Sequence, residues 1–411
     1  MSTSILRGWL QAAEADWLVL RTAQGELKIQ LPDDASVRAG LADITPESSV
    51  ICEVEQGGQG EEGGQESCPV LCRLTLCHPS EPFPLDPGKD YSRDLSVRHL
   101  WLRQPKAGHI LRARHKILKA IREALEEHGF IGVQTPLTTQ AACVCSGSVF
   151  EIPFYDQKAA LNQSPWMYVD CLVNSGVDKA YAVMPSFRKE QEPTPSHLSE
   201  IWHIQCDQAW FDQEESMAFE ENLVSAVVER VLDDCAAELA FLGRDVAELE
   251  RVKPPFERLS YDRAVEMITE AGHRIRWGED IDSDAQRVLS GFFDKPFFLV
   301  EPPYETANFF FNRNPERPEV AMVHDLYVPG CGEIIGGGER ASDIELLYEN
   351  LLHFGHLPED YEWYLDGKKY GPIPHTGFNF GFDRFTMWLL GLEDIRQGVP
   401  FPRVPHTAPR P

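Results

Sequence analysis

The chain has 411 residues, of which 43% are apolar, 10% aromatic and 25% charged. That composition suits a soluble globular protein of two or three domains with ample buried core. No apolar run approaches the ~18 residues a spanning helix needs, and MSTSILRGWLQ lacks a charged segment followed by a long apolar one. No membrane association is therefore expected, and the expected compartment is the cytoplasm. A net charge of −27 and a pI near 4.8, with no basic run, count against tight binding of nucleic acid, because phosphate contacts dominate such affinity.

Residues 1 to about 80 contain five short strand patterns, LRGWL, DWLVLRT, ELKIQLP, SVICEVE and PVLCRLTL. Five short strands separated by turn signals suit a small barrel of the OB-fold kind. Between the last two, the Gly/Glu-rich EQGGQGEEGGQES reads as a flexible hairpin loop. Cys68, Cys72, Cys77 and His78 are zinc-ligand types close together. LCRLTLCH, however, alternates like a strand and sends neighbours to opposite faces. The ten cysteines form no regular framework and are expected to stay reduced. The Pro- and acid-rich HPSEPFPLDPGKD marks a boundary, giving a barrel at 1–85 and a larger domain at 86–411.

In the larger domain, Ile110, Leu111, Ile117, Leu118, Ile121 and Leu125 recur at helical spacing over 107–128, and Gly129 stops the helix. FIGVQTP reads as a strand ended by Pro136, and 214–242 as a second strong helix. MPSFRKE, IWHIQCDQAWF, PFFLVEPP, FFFNR and VAMVHDLYVP are strand-like, and TGFNFGFDRFTMWLLGL reads as strand, turn and helix. The fold class is α+β, an antiparallel sheet flanked by helices. Neither a P-loop nor a GxGxxG turn that leads from a strand into a helix, the signatures of a nucleotide cradle, is present.

Three segments concentrate charge on such elements. In SFRKEQEPTPSHLSEIWHI, Arg188 and Glu190 occupy alternate strand positions, ahead of a turn with Pro193 and Pro195 and then His197. In VHDLYVPGCGEIIGGGER, Asp325 and Glu333 flank a Pro-Gly turn, and the IIGGGER glycines read as a tight turn open to a substrate. In GFNFGFDRFTMWLLG, Arg384 opens a helix. Rigidly mounted arginines and carboxylates are what nucleotide-phosphate chemistry needs, since its catalysis is mostly positioning and charge neutralisation.

These segments resemble motifs 2 and 3 of the class II aminoacyl-tRNA synthetases and the metal-binding strand between them, and GFIGVQTP resembles motif 1. DLYVPGCGEIIGGG, GLEDIRQGVPFPR, KAALNQSP and PFERLSYDRAVEMI followed by RWGED are similar to the asparaginyl/aspartyl branch, over about 98–403. The resemblance implies ATP and Mg²⁺ as cofactors and an acyl-adenylate as intermediate. It implies that Arg188 contacts the α-phosphate and the substrate carboxylate, and that Glu190 reads the adenine amino group. His197 and Arg384 are implied at the terminal phosphates, and Glu333 with Asp325 at Mg²⁺. The acyl pocket is implied at Gln163, Trp166, Gln205, Gly336 and Arg340, and a homodimer through the helix at 107–128.

The departures cluster on that pocket. Trp166 stands where a glutamine is usual, and CVCSGSVF carries no acid where a glutamate usually binds the α-ammonium. Gln205 replaces a frequent glutamate, Ala307 a lysine, Ser196 an arginine, and Gly132 an acid of motif 1. In the barrel, Gly8-Trp9 fits an anticodon-binding module, but QAAEAD lacks its arginine and RTAQGELK departs from its pattern. The leading expectation is an asparaginyl-tRNA synthetase-like ligase that activates a small acid and passes it to an amine without tRNA. An authentic asparaginyl-tRNA synthetase and a catalytically silent binding protein are the alternatives.

Overall fold

The computed structural model describes residues 3–56, 68–86, 88–140, 142–144 and 148–408. The chain divides into two compact units, Met1–His109 and Ile110–Pro411. The expected flexible loop falls on 57–67 and so lies outside the described residues, as do Cys145–Gly147 of the CVCSGS segment.

The first unit holds β1 (Thr3–Ala13), β2 (Trp17–Thr22), β3 (Gly25–Gln30), α1 (Ala35–Ala42), β4 (Ser49–Gln56) and β5 (Pro69–His78). The five strands close into a barrel in the order β1-β2-β3-β5-β4. Alternation along each strand drives the closure: Leu18 and Leu20, then Val50, Cys52 and Val54, point into one core with Leu10, Ile29 and Leu71. Cys72 and Cys77 point out to solvent. Among the described residues no group of three or more His, Cys, Asp or Glu could hold a metal ion. The linker and α2 (Arg98–Trp101) also belong to this unit. Glu47 bonds both Arg21, at 2.7 Å, and Arg103, at 2.6 Å, and Arg103 lies over Trp9 and Phe83. Those contacts explain why the compact unit runs past residue 85.

α3 (Pro105–Glu127) buries Ile117, Ile121 and Leu125 along one stripe and ends at Gly129, whose φ of 81° is the left-handed turn that glycine allows. The chain continues through β6 (Ile131–Val133), β7 (Thr138–Thr139), β8 (Glu151–Phe154), β9 (Gln157–Leu161), α4 (Trp166–Asn174), β10 (Lys179–Phe187) and β11 (Glu200–Ala209). The expected helix at 214–242 is two helices, α5 (Gln213–Asp234) and α6 (Ala236–Leu242), with a break at Cys235. α5 opens on a reciprocal cap in which Asp212 accepts from the Glu215 N–H and the Glu215 carboxylate accepts from the Asp212 N–H.

Next come α7 (Val246–Glu250), β12 (Glu257–Ser260), α8 (Tyr261–Glu270), α9 (Ser283–Ser290), β13 (Phe297–Val300), β14 (Val323–Val328), β15 (Gly332–Glu339), α10 (Ile344–His353), α11 (Glu362–Gly367), β16 (His375–Gly381) and α12 (Phe382–Leu389). Eight strands form one sheet in the order β12-β13-β14-β15-β16-β11-β10-β6, antiparallel except for the outermost pair at each end. β7, β9 and β8 form a small second sheet. The α+β expectation holds, with two local corrections. FFFNR forms no strand. Phe309, Phe310 and Phe311 pack into a core with Trp166, Tyr361 and Tyr364, leaving only isolated bridges. The glycines of IIGGGE lie inside β15 rather than in a turn, because neighbouring groups crowd them. A β-carbon at Gly338 would overlap the Met322 carbonyl oxygen.

Candidate active site

The central strands line a cleft of about 320 Å³. Arg188, Glu190, His197, Asp325, Glu333 and Arg384 line it together with Trp166, Gln205, Gly336 and Arg340. Of the eleven candidate residues the sequence offers, Gln163 alone falls outside the lining. Its buried side chain accepts from the Val144 N–H at 3.2 Å and donates to Ser148 Oγ at 2.8 Å, and so holds the cleft wall from behind.

Arg188 and Glu190 do not sit at alternate strand positions. β10 ends at Phe187, paired with Glu200, and the chain then bends so that the Glu190 N–H reaches the Arg188 carbonyl at 2.9 Å. The prolines that follow remove the donors a longer ladder would need. The Arg188 N–H still bonds the Ser199 carbonyl at 3.0 Å, which fixes its Cα, while its Nε is buried with no hydrogen-bond partner among the described residues. A buried guanidinium donor left open in a cleft fits an anionic ligand.

Arg384, in the first turn of α12, donates to the Glu333 carbonyl at 2.7 Å and to His197 Nε2 at 3.2 Å. With Nε2 accepting, His197 Nδ1 carries the proton and donates to Thr194 Oγ1 at 2.7 Å. Burial, Arg384 and Arg188 lower the His197 pKa to about 4, so the ring is neutral at physiological pH. Burial and the same two arginines also push His203 well below the usual imidazole range.

Asp325 on β14 and Glu333 on β15 face one another across Gly336, where a β-carbon would sit 3.2 Å from an oxygen of each. Burial, and then the like charges of Glu333 and Asp280, push the Asp325 carboxyl well above its ordinary range. Crowded carboxylates that repel one another are the oxygen donors a hard divalent cation takes. Since no group of three forms a metal cage among the described residues, an ion held here would draw further ligands from phosphate oxygens.

At the other end of the cleft, Arg340 follows β15 and is 3% exposed. Its guanidinium lies over the rings of Phe310, Phe311 and Trp166, and its Nε and Nη1 have no hydrogen-bond partner among the described residues. The Trp166 indole N–H is taken by the Cys143 carbonyl at 2.7 Å, so the ring offers the cleft an apolar face. Gln205 accepts from Asn379 Nδ2 at 3.1 Å, and Asn379 also reaches Ser164 Oγ at 2.8 Å.

Behind this wall lies a fully buried polar cluster. Asp170 on α4 accepts from Lys368 at 2.6 Å, His375 at 2.8 Å and Tyr364 at 3.1 Å. Burial opposes ionisation, but the His375 and Lys368 charges hold the Asp170 carboxyl well below the carboxylate range. Its folded pKa is depressed, so its contribution to stability is present above the unfolded value of ~3.9 and is lost as pH falls below it. Asp170→Asn is expected to destabilise the unit by roughly 3–5 kcal/mol, because it strands a buried cation. Urea unfolding at neutral pH measures this, and a loss under ~1 kcal/mol would show the cluster to be dispensable.

A family model described as tRNA synthetases class II (D, K and N) matches residues 90–405. The chain belongs to that family. This synthetase is similar to the asparagine–tRNA ligase of Pelotomaculum thermopropionicum, 35% identical over 417 residues covering 97% of this chain and 95% of the relative. It is similar to that of Thermococcus gammatolerans at 35%, covering 97% and 94%. Among solved structures, asparaginyl-tRNA synthetase from Pyrococcus horikoshii complexed with asparaginyl-adenylate superposes with a TM-score of 0.92 at 32% identity, over 99% of this chain and 96% of that one. The chain is an ATP-dependent ligase of class II type, with adenylate chemistry. The class II synthetase cleft also contains residues that the sequence did not single out, Asp280, His203, Tyr327 and Asn379. Asp280 ends the quoted RWGED, but a loop residue has no register from which to infer where it points. His203 follows IW in a strand whose lining face becomes known only from its pairing with β16.

Proposed function

We propose that this synthetase activates a small carboxylic acid as its adenylate and passes the acyl group to an amine, forming an amide without tRNA. One observation carries the reading. Val144, Trp166, Gln205, Ala307, Phe310 and Arg340, the described lining residues assigned to the acyl end of the cleft, offer a cation and apolar faces and include no carboxylate to pair an α-ammonium; the buried Asp207 beside Arg340 is not among the lining residues. Residues 141–147, AACVCSG, add no acid. Losing such a charge-assisted bond costs about 1.5–3 kcal/mol of binding to an amino acid, and an acid without the amine loses nothing.

In this reading Arg188 holds the α-phosphate and the reacting carboxylate by its open guanidinium edge. Glu190 reads the adenine amino group. Arg384, braced by neutral His197, meets the terminal phosphate. Glu333 and Asp325 would hold Mg²⁺, which would supply neutralisation of phosphate charge. Arg340 takes the far end of the acid. The barrel fits independence from tRNA: residues 1–85 carry thirteen acids against five Lys and Arg, and a negative surface repels a phosphate backbone. A homodimer through the helix α3, as the resemblance implies, is part of the proposal.

The second reading is a tRNA-charging asparaginyl enzyme, favoured by likeness to asparagine–tRNA ligases along the full chain. A silent binding protein is disfavoured by the convergence of both arginines and both carboxylates in one cleft. The test supplies ATP, Mg²⁺, each acid and hydroxylamine or ammonia, and reads amide by mass spectrometry beside charging of total tRNA. Amide without charged tRNA is expected; charging with asparagine would overturn the proposal in favour of the second reading.

A further inference from the structure

Among the described residues Arg340 has one carboxylate within ion-pair distance, and the roles above leave it unused. Asp207 on β11 is fully buried, with Oδ1 3.7 Å from Arg340 Nη2 and accepting from Gln205 Nε2 at 2.8 Å. Its Oδ2 is buried with no hydrogen-bond partner among the described residues. The pair is built into the register of β11 and β16, where Asp207 stands opposite Gly377. A β-carbon at Gly377 would overlap Asp207 Oδ1 and crowd Arg340 Nε and Nη2. The glycine therefore makes room for the pair.

We propose that Asp207 is a specificity-determining positioning residue, which by sharing the charge of Arg340 fits the acyl pocket to a neutral amide when ionised and to an anionic carboxylate when protonated. The proposal rests on the reading of Arg340 as the anchor for the far end of the acid. Ionised, Asp207 leaves the pair with no net charge, so the open Nε and Nη1 can bond an amide oxygen but cannot balance a second anion. Protonated, it frees a whole positive charge for a carboxylate.

The groups facing Asp207 decide where this change falls. Arg340 comes from the end of β15, Asp170 and Cys171 from α4, His375 from β16 and Cys206 from β11 itself, while Tyr364 on α11 and Lys368 just after it bond Asp170. Burial raises the carboxyl most, Arg340 opposes, Asp170 adds to the rise, and the result is about 6. The change therefore lies within the working range of an enzyme, unlike that of Asp170.

The test is ATP–pyrophosphate exchange by the full chain with Mg²⁺ and two probe pairs, asparagine with aspartate and succinamate with succinate. Ratios of kcat/KM for acid over amide are corrected for the ionisation of each probe. From about pH 7.5 to about 5.5 the wild-type ratio is expected to rise about tenfold. Asp207→Asn is expected to hold the ratio at its acid-favouring value at every pH, and Asp207→Glu to restore the pH dependence. Thermal melting establishes that each variant is folded. A pH-independent wild-type ratio, an Asp207→Asn ratio equal to wild type, or no exchange with either pair overturns the inference. Arg340→Met separates the two levels. Exchange that persists in that variant defeats the reading of Arg340, whereas exchange lost there with an unchanged Asp207→Asn ratio defeats the role of Asp207 alone.

Discussion

Arg188→Ala is expected to lower ATP–pyrophosphate exchange by about 10²–10³-fold, the cost of removing one preorganised charge-stabilising donor from a reacting centre. The expected split follows from where the guanidinium points. Its Nε has no hydrogen-bond partner among the described residues, while the backbone N–H to Ser199 holds the residue in place. Alanine keeps that backbone bond and removes a buried unpaired donor, so the variant should melt at or slightly above the wild-type temperature. Arg188→Lys should recover only part of the rate, because an ammonium cannot present two parallel donors to phosphate and carboxylate oxygens. Calorimetric binding of ATP and exchange kinetics together read the effect. Exchange within threefold of wild type in the alanine variant would remove Arg188 from the chemistry.

Glu333→Gln is expected to lower exchange by about 10²-fold and to raise the Mg²⁺ concentration needed for half-maximal rate. In the absence of metal the same substitution should stabilise the protein, since Glu333 and Asp280 repel Asp325 in a buried setting. Two signs thus come from one substitution: a higher melting temperature without Mg²⁺ and a smaller rise on adding it. Measuring melting against Mg²⁺, with and without a non-hydrolysable ATP analogue, separates them. An unchanged Mg²⁺ requirement would place the ion elsewhere. A lower metal-free melting temperature would show that Glu333 is held by a partner rather than opposed by its neighbours.

Much of this arrangement was legible from residue order. The barrel could be read because inward residues alternate strictly, as at Leu18 and Leu20 or Val50, Cys52 and Val54. The helix ending at Gly129 carried both its stripe and its stop signal. Arg188, His197, Asp325, Glu333 and Arg384 converge although they are spread over some two hundred residues, because each lies at or beside a strand of the central sheet. What could not be read depends on register between distant strands. Nothing local says that Asp207 faces Gly377 or that β11 turns His203 into the cleft. The run FFFNR has the composition of a strand, and only the demand of the Trp166 core for three aromatic rings diverts it. Gln163 shows the same dependence on tertiary contacts, since its place in a matching motif implies the pocket while its hydrogen bonds to Val144 and Ser148 seat it in the wall.

In the proposed function the cleft adenylates an acid for which an α-ammonium is not required. The most direct measurement is ATP–pyrophosphate exchange by the wild-type chain, with Mg²⁺ and without tRNA, comparing succinamate and succinate with asparagine and aspartate. Exchange with a des-amino acid is expected at a kcat/KM at least equal to that of its amino counterpart. Exchange with asparagine alone, at a level that falls by two or more orders of magnitude when the amine is removed, would contradict it and identify an amino-acid pocket.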